Sequence, residues 1–331
     1  LNYIIKIIKK GRIYLSKYIR KRIVEAIPIL IFISIISFLL IKLAPGDPIR
    51  AFINPKMKPS DIARIRHNLG LDKPTYIQYI LWLKNVLKGD LGYSLINSRP
   101  ISTQIIERLP ATLLLMGSSL LISLVLGIIL GVISAVNKNK LIDNILSVIS
   151  YIGISIPSFW FAMILIYIFS VNLKLLPSVG MHTIGVDSRL DVLKHLILPC
   201  TVLSFGNISV ITRYIRSNVI SELSEDYVMI AYAKGLSKKR ILYKHVLKNA
   251  LLPIITILGM SLPNLVAGAF ITETIFGWPG MGRLGIKAIF GFDYPLIMAI
   301  TMLTSVLLII GNLLADICYS LIDPRIKELG R

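Results

Sequence analysis

The chain has 331 residues, 55% of them hydrophobic and only 16% charged. That is more apolar surface than a water-soluble globule of this length needs to bury, so a membrane protein is expected. The formal net charge of +20 does not signal nucleic acid, because aromatics do not interleave with basic clusters and most Lys and Arg flank long apolar runs.

A basic segment, residues 1–22, precedes the first apolar stretch, Ile23–Ile41. At about 19 residues this stretch exceeds the roughly 7–15 of a signal peptide's apolar core, and no small-x-small cleavage site follows it, so an uncleaved span is expected. Pro28 falls near its start, where a missing amide proton does least harm. A bilayer core needs about 20 mostly apolar residues per helix. Six windows fit: 23–43, 110–136, 142–171, 195–220, 250–273 and 295–321. Pro157, Pro199 and Pro253 lie inside the third, fourth and fifth, which membrane helices tolerate when neighbouring helices recapture the freed carbonyls. The loop 42–109 is too long for a plain connection. Ser60 is placed to cap a helix over Asp61–Asn68, and Ile77–Leu87 reads as a second amphipathic stretch, so a small folded external cap is expected.

Loop charge sets the orientation. With the N-terminus inside, the cytoplasmic pieces carry 21 Lys and Arg and the short outer loops 5. The 11 in 42–109 do not oppose this, since long loops translocate largely regardless of charge. The chain therefore divides into a cytoplasmic segment 1–22, a membrane domain 23–321 and a cytoplasmic tail 322–331.

Between the fourth and fifth spans lies SELSEDYVMIAYAKGLSKKRILYKHVLKNALLP, Ser221–Pro253, with a cytoplasmic loop over 221–249. Ser224 is a candidate N-cap. Glu225 and Asp226 put negative charge on the first helical turn, and Gly235 is placed to end the helix in a left-handed turn. Val228, Ala231, Tyr232 and Gly235 fall on one face at i, i+3, i+4, i+7 spacing, and the small residues allow close approach to a cleft. A second turn and helix start after Ser237, where Lys238, Lys239 and Arg240 are suited to the anionic inner leaflet. An ordinary basic inner loop with a surface-lying helix would share these properties.

This segment resembles the EAA loop of the inner-membrane permease subunits of ABC importers that work with a binding protein. The usual pattern is Glu-Ala-Ala, three residues, Gly, nine residues, then Ile-x-Leu-Pro. Ala231 and Gly235 match it, Met229 and Ile230 replace the Glu and the first Ala, and the proline expected at 248 is found as Pro253. The oligopeptide, dipeptide and nickel subgroup reads in this way. LAPGDP at 43–48, LGLDKPTYIQYILWLKNVLKGDLGYS at 69–94, ISIPSFWFA at 154–162, ETIFGWPGMGRL at 273–284 and DPRIK at 323–327 are similar to its B-type permease, so the likeness covers 12–328. The C-type partner lacks the long loop after the first span.

The resemblance implies an all-α, six-helix type I ABC importer permease fold with both termini cytoplasmic, in the cell membrane of a bacterium or archaeon. It implies half of a translocation pore for di- or oligopeptides, completed by a C-type permease and served by an external substrate-binding protein. Two ATPase subunits would hold ATP and Mg, with no cofactor and no catalysis in this chain. Consistent with that, the chain has no G-x-x-x-x-G-K-[ST] loop. The implied ATPase-coupling residues are Glu225, Asp226, Tyr227, Val228, Ala231, Tyr232, Gly235, Leu236, Ser237 and Arg240.

Polar residues within the spans are costly and so are candidates for a pore or gate: Asn207, Glu273, Asn312 and Asp316, with Arg213 also placed in this group. Asn312 and Asp316 are four apart and face the same way. Glu273 stands at the outer end of the fifth span, where it lines a gate, meets water or serves structure. Trp278, in the loop 277–285, is suited to the membrane interface. The histidines are scattered, and Cys200 and Cys318 read as small buried hydrophobes. A nickel-chelate or other small-solute importer, a secondary transporter or channel, and an embedded enzyme are the alternatives. Repeated halves, interrupted helices at the midplane and ionisable relays, which a secondary transporter or channel needs, are sparse, and the nucleophile or metal constellation of an enzyme is missing.

Overall fold

The computed structural model describes residues 2–43, 58–68, 70–186 and 188–322. The described residues are nearly all helical: α1 Asn2–Leu43, α2 Pro59–Asn68, α3 Thr75–Leu87, α4 Ile101–Val136, α5 Leu141–Ser155, α6 Ser158–Leu165, α7 Arg189–Leu223, α8 Asp226–Ala233, α9 Lys238–Ile241, α10 Leu247–Ala250, α11 Leu252–Ala267, α12 Phe270–Ile275, α13 Met281–Phe290 and α14 Tyr294–Ile322. Wider π-helical turns, Ile166–Asn172 and Leu242–Val246, follow α6 and α9. Five helical runs are long and apolar enough to cross a membrane, and a sixth is counted if the bent pair Leu141–Ser155 and Ser158–Asn172 is one span. The tail from 323 and the stretch 44–57, which holds most of LAPGDP, lie outside the described residues.

Three expected spans differ from the structure for identifiable reasons. The third is two arms bent by 103°. Pro157, which has no amide proton to continue the ladder of α5, sits at the break as the N-cap of α6. An open apolar recess of ≈ 450 Å³ at this bend is lined by Ile152, Ile156, Phe159 and Trp160 among others. The fifth is interrupted where α11 ends at Gly268, whose φ is 79°, and α12 begins two residues later. Pro253 lies in the first turn of α11, where a missing amide proton does least harm, although the apolar run Lys238–Gly259 continues across it. The second starts at Ile101 rather than 110, with Pro110 inside the helix. Its first turns carry Glu107 and Arg108, which a hydropathy window rejects although Ile101 and Ile105 are buried.

Two compact units make up the chain: residues Leu1–Leu109 with Leu284–Leu313, and Pro110–Arg283 with Leu314–Arg331. In the first, the expected helices of the long loop are present as α2 and α3. Ser60 is not the cap of α2, because the helix already begins at Pro59 and Ser60 lies in its first turn. Helix α3 packs on α1, where Tyr79 shares a 2.7 Å hydrogen bond with Ser34 and the rings of Tyr79 and Trp82 surround Phe38. Asp293, fully buried, accepts from the Ser94 hydroxyl and from the Leu95 amide at 3.1 Å, fixing the turn before α4 to the start of α14.

In the second unit α4 and α7 cross closely. A Cβ added at Gly131 would stand 2.6 Å from Cβ of Ile215, so only glycine permits this separation. Around the crossing lies a core of Ala135, Ile211, Ile215 and Val219, and it continues into Val228, Ala231, Ile241, Val246, Ala250 and Ile254. The membrane core and the loop between the fourth and fifth spans are therefore one packed body.

Candidate coupling segment and buried polar sites

The loop following α7 is an ordered helix pair. Ser224 does not cap α8. It ends α7, and its hydroxyl donates back to the Ile220 carbonyl at 3.1 Å, leaving Glu225 as the N-cap with extended backbone. Asp226 then opens α8, where its charge meets the positive end of the helix dipole. Nine residues on, Gly235 takes φ 76° and closes the helix, its amide donating to Tyr232 O at 2.9 Å and that of Leu236 to Ala231 O at 3.2 Å. This paired 5→2 and 6→1 closure is the Schellman arrangement, and it needs a left-handed residue at that position. Ser237 caps α9, accepting from the Arg240 amide at 3.4 Å.

Which face is free differs from the spacing argument. Val228 and Ala231 are 1% and 7% exposed and face inward, against Ile215, Val219 and Ile241 of the chain itself. They cannot enter a partner's cleft. The outward face carries Met229 at 70%, Ile230 at 55% and Tyr232 at 42% exposure, two of which are the residues where this loop departs from the general family pattern. Glu225, Asp226, Gly235, Ser237 and Arg240 are exposed and Leu236 is half-buried.

Tyr227 joins the two ends of the segment. Its hydroxyl donates to Glu222 Oε2 at 2.6 Å, and Asn249 Nδ2 donates to the same carboxylate oxygen at 3.3 Å and to the Tyr227 oxygen at 3.4 Å. Burial, reinforced by the neighbouring Glu222 carboxylate, pushes the Tyr227 phenol up to about 12. The sequence reading included Tyr227 but not Glu222 or Asn249; no local pattern links positions 222 and 249.

The candidate pore residues have different surroundings. Glu273 neither meets water nor stands free: it is 0% exposed. Its carboxylate accepts from Thr112 Oγ1 at 3.1 Å and from the amides of Ala269 and Arg283 at 3.3 and 2.9 Å. It ties α4, α12 and α13 into one knot. Trp278, expected at the membrane interface, is fully buried in the same knot, with its indole N–H donating to Ala111 O at 2.8 Å. The turn folds it inward, where the Ala111 carbonyl offers its indole a partner. Asn207 on α7 and Asn312 on α14 are exposed, and Arg213 lies 4.5 Å from the Tyr151 ring centroid. The side chains of Asp316 and Cys318 lie outside the described residues, whereas Cys200 is buried against Ala111, Leu115, Leu196 and Trp278. A further polar site, missed in the sequence, is Asp143, which accepts from Ser134 Oγ at 2.5 Å, the Asn139 amide at 2.9 Å and Arg216.

Comparison with known proteins gives the family and the fold. The chain is 44% identical over 315 residues to the oligopeptide transport system permease protein AppB of Bacillus subtilis (strain 168), covering 95% of this chain and 100% of AppB. It is 37% identical to the glutathione transport system permease protein GsiC of Salmonella choleraesuis (strain SC-B67), covering 94% of this chain and 98% of GsiC. A chain of the MetNI methionine ABC transporter, solved in inward-facing conformations, superposes with a TM-score of 0.54 at 18% identity, covering 68% of this chain and 99% of that one. The described fold is thus that of an ABC importer permease. Residues 15–116 match the N-terminal membrane component of binding-protein-dependent transport systems, and residues 127–328 match their inner membrane component. The chain belongs to the binding-protein-dependent transport system inner membrane component family.

Proposed function

We propose that this chain is the B-type permease subunit of an ATP-driven peptide importer. A C-type permease completes the translocation path, an external binding protein delivers the peptide, and two ATPase subunits hold ATP and Mg and drive alternating access. Both termini face the cytoplasm, as the excess of Lys and Arg there supports, and 42–109 faces outward. Peptide cargo is favoured because AppB and GsiC, which match this chain along nearly its whole length, are named for an oligopeptide and for glutathione, itself a tripeptide.

The observation that carries the reading is the Glu225–Arg240 helix pair, rooted in the core of α4 and α7 and presenting Met229, Ile230 and Tyr232 outward. An ATPase groove that receives this face moves α8, and through Val228 and Ala231 it moves α7. In this scheme Gly235 sets the angle between the two helices, and Glu225, Asp226, Ser237 and Arg240 make the polar rim. Asn207 and Asn312 are assigned to the path, with Asp316 one turn beyond Asn312, and Glu273 holds a turn at the path's outer end.

The test is to purify the complex through this subunit, identify its companions by mass spectrometry, and measure peptide-dependent ATP hydrolysis in proteoliposomes. Two copurifying ATPases and stimulation by peptide-loaded binding protein are expected. Gly235→Trp should insert normally and abolish uptake. Transport and ATPase stimulation that both survive Gly235→Trp sink the coupling assignment, and stimulation by a metal chelate but not by peptide sinks the cargo.

A further inference from the structure

Helix α3, TYIQYILWLKNVL, carries a single charge, Lys84, and is strongly apolar, yet none of its 13 residues is buried. On the side of α1 it offers Gln78, Tyr79 and Trp82. Away from α1, Tyr76 is 66%, Ile80 57%, Leu81 41% and Leu87 80% exposed. A helix of this composition in water would bury one face; this one packs lightly on one side and leaves large side chains open on the other.

Its depth is set by what it touches. Lys42 Nζ donates to Gln78 Oε1 at 2.5 Å, the Phe38 ring lies 5.5 Å from that of Tyr79, and Ser34 meets the Tyr79 hydroxyl. These three α1 residues lie along the final turns of the span Val24–Leu43. Ser34 is about 13 Å along the helix axis from Leu43 at about 1.5 Å per residue. Helix α3 therefore lies alongside the last part of a transmembrane helix, not beyond its end. Ile31, Ile35 and Leu39 of α1 are also exposed, so the open face of α3 extends the exposed apolar surface of α1.

We propose that α3 is a membrane-embedded helix lying against the last turns of α1. Tyr76, Ile80, Leu81 and Leu87 are immersed in the acyl chains of the leaflet where α1 ends at Leu43. Tyr79 and Trp82 pack on Ser34 and Phe38 at the depth of the span, and Lys84 extends its stem along the apolar face with its ammonium toward the headgroups. A docking face for a soluble binding protein would carry a polar rim with several hydrogen-bonding groups, whereas this face has Lys84 as its sole charge and merges with the surface of α1. The inference rests on α1 crossing the bilayer but not on which side its ends face.

The test uses the assembled complex in proteoliposomes, with Cys200→Ala and Cys318→Ala as background. Single cysteines are placed at Ile80, Leu87, Lys88 and Asp90, and at Leu39 as a control on α1. A water-soluble maleimide should label Ile80→Cys and Leu87→Cys at least roughly tenfold more slowly than Lys88→Cys and Asp90→Cys, as expected for groups about 5–10 Å below the headgroups. A fluorophore at Ile80→Cys should be quenched by lipids brominated on their acyl chains. Fast labelling at all four loop positions places α3 in water and overturns the proposal. Protection without bromine quenching means that protein covers the face, and protection appearing only with the binding protein makes it a receptor surface; either result overturns the proposal. Failure of Leu39→Cys to report lipid would instead fault the transmembrane reading of α1.

Discussion

Arg216 on α7 grips Asp143 on α5 side-on, with Nε 2.6 Å from Oδ1 and Nη2 2.8 Å from Oδ2, and Asp143 is 1% exposed. Ser134 and the Asn139 amide fill its remaining acceptor sites, so the charge is fully paired. Removing one partner strands the other. Arg216→Met is expected to cost about 3 kcal/mol, and adding Asp143→Leu should recover part of that loss. Thermal unfolding in detergent of the two single variants and the double checks this; a double variant less stable than both singles would contradict it.

Glu273 is an acceptor surrounded by donors. Glu273→Gln turns an amide group toward the N–H groups of Ala269 or Arg283 and should destabilise by about 1–3 kcal/mol despite near-identical size. Thr112→Val should cost a similar amount, because the Thr112 hydroxyl also accepts from the Met281 amide at 2.7 Å. Trp278 fluorescence provides the measurement: both variants should shift its emission to the red as the knot admits water.

Close approach of α4 and α7 makes Gly131 intolerant of even a methyl group. Gly131→Ala should lower stability by about 1–3 kcal/mol through overpacking. Ile215→Ala in the same chain removes only Cγ2, at 2.8 Å, and keeps the Ile215 Cβ position at 2.6 Å and the Thr212 carbonyl at 2.8 Å from the added Cβ, so it should not rescue the variant. Melting temperatures should rank wild type, single variant, double variant, since the double also empties a buried core position; recovery in the double would place the whole clash on the Ile215 Cγ2.

The two faces of α8 should separate stability from coupling. Val228→Ala creates a cavity in the core and should reduce stability by about 1 kcal/mol or more. Met229→Ser and Ile230→Ser should leave melting unchanged and reduce peptide-stimulated ATP hydrolysis in the complex. Equal losses of stability from inner and outer substitutions would show that the partition is mistaken.

Alkaline pH should loosen the same segment. The Tyr227 phenol is held protonated in the fold up to about 12, against 10.0 for an ordinary tyrosine. Its contribution is therefore whole below pH 10 and is lost as pH rises through the folded value. A spin label at Lys239→Cys should gain mobility between pH 10 and 12, and Tyr227→Phe should remove that dependence while costing about 1 kcal/mol at neutral pH. Unchanged mobility across that window would exclude Tyr227 as the fastening.

Much of this arrangement was legible in the sequence where the signal is local. Gly235 ends a helix because one residue must be left-handed, and Ser237 begins the next because one hydroxyl reaches the Arg240 amide. The apolar windows located the spans because hydropathy is additive along the chain. What escaped were long-range pairings. Asp143 with Arg216, Glu273 with Thr112 and Ser94 with Asp293 join positions whose relation exists only after helices pack. Helical spacing put Val228 and Ala231 on one side correctly, but periodicity cannot say whether that side meets the chain's own core or a partner. Small size, which suggested close approach to another protein, here serves close approach to α7.

This division of α8 bears on how such subunits change over time. Positions 228 and 231 answer to Ile215, Val219 and Ile241, so any drift there must be matched within the same chain. Positions 229 and 230 are exposed and can be rewritten at little cost to folding. Lineages that exchange one set of companion subunits for another should therefore differ at these outer positions first, with the inner pair as the fixed frame that makes the exchange survivable.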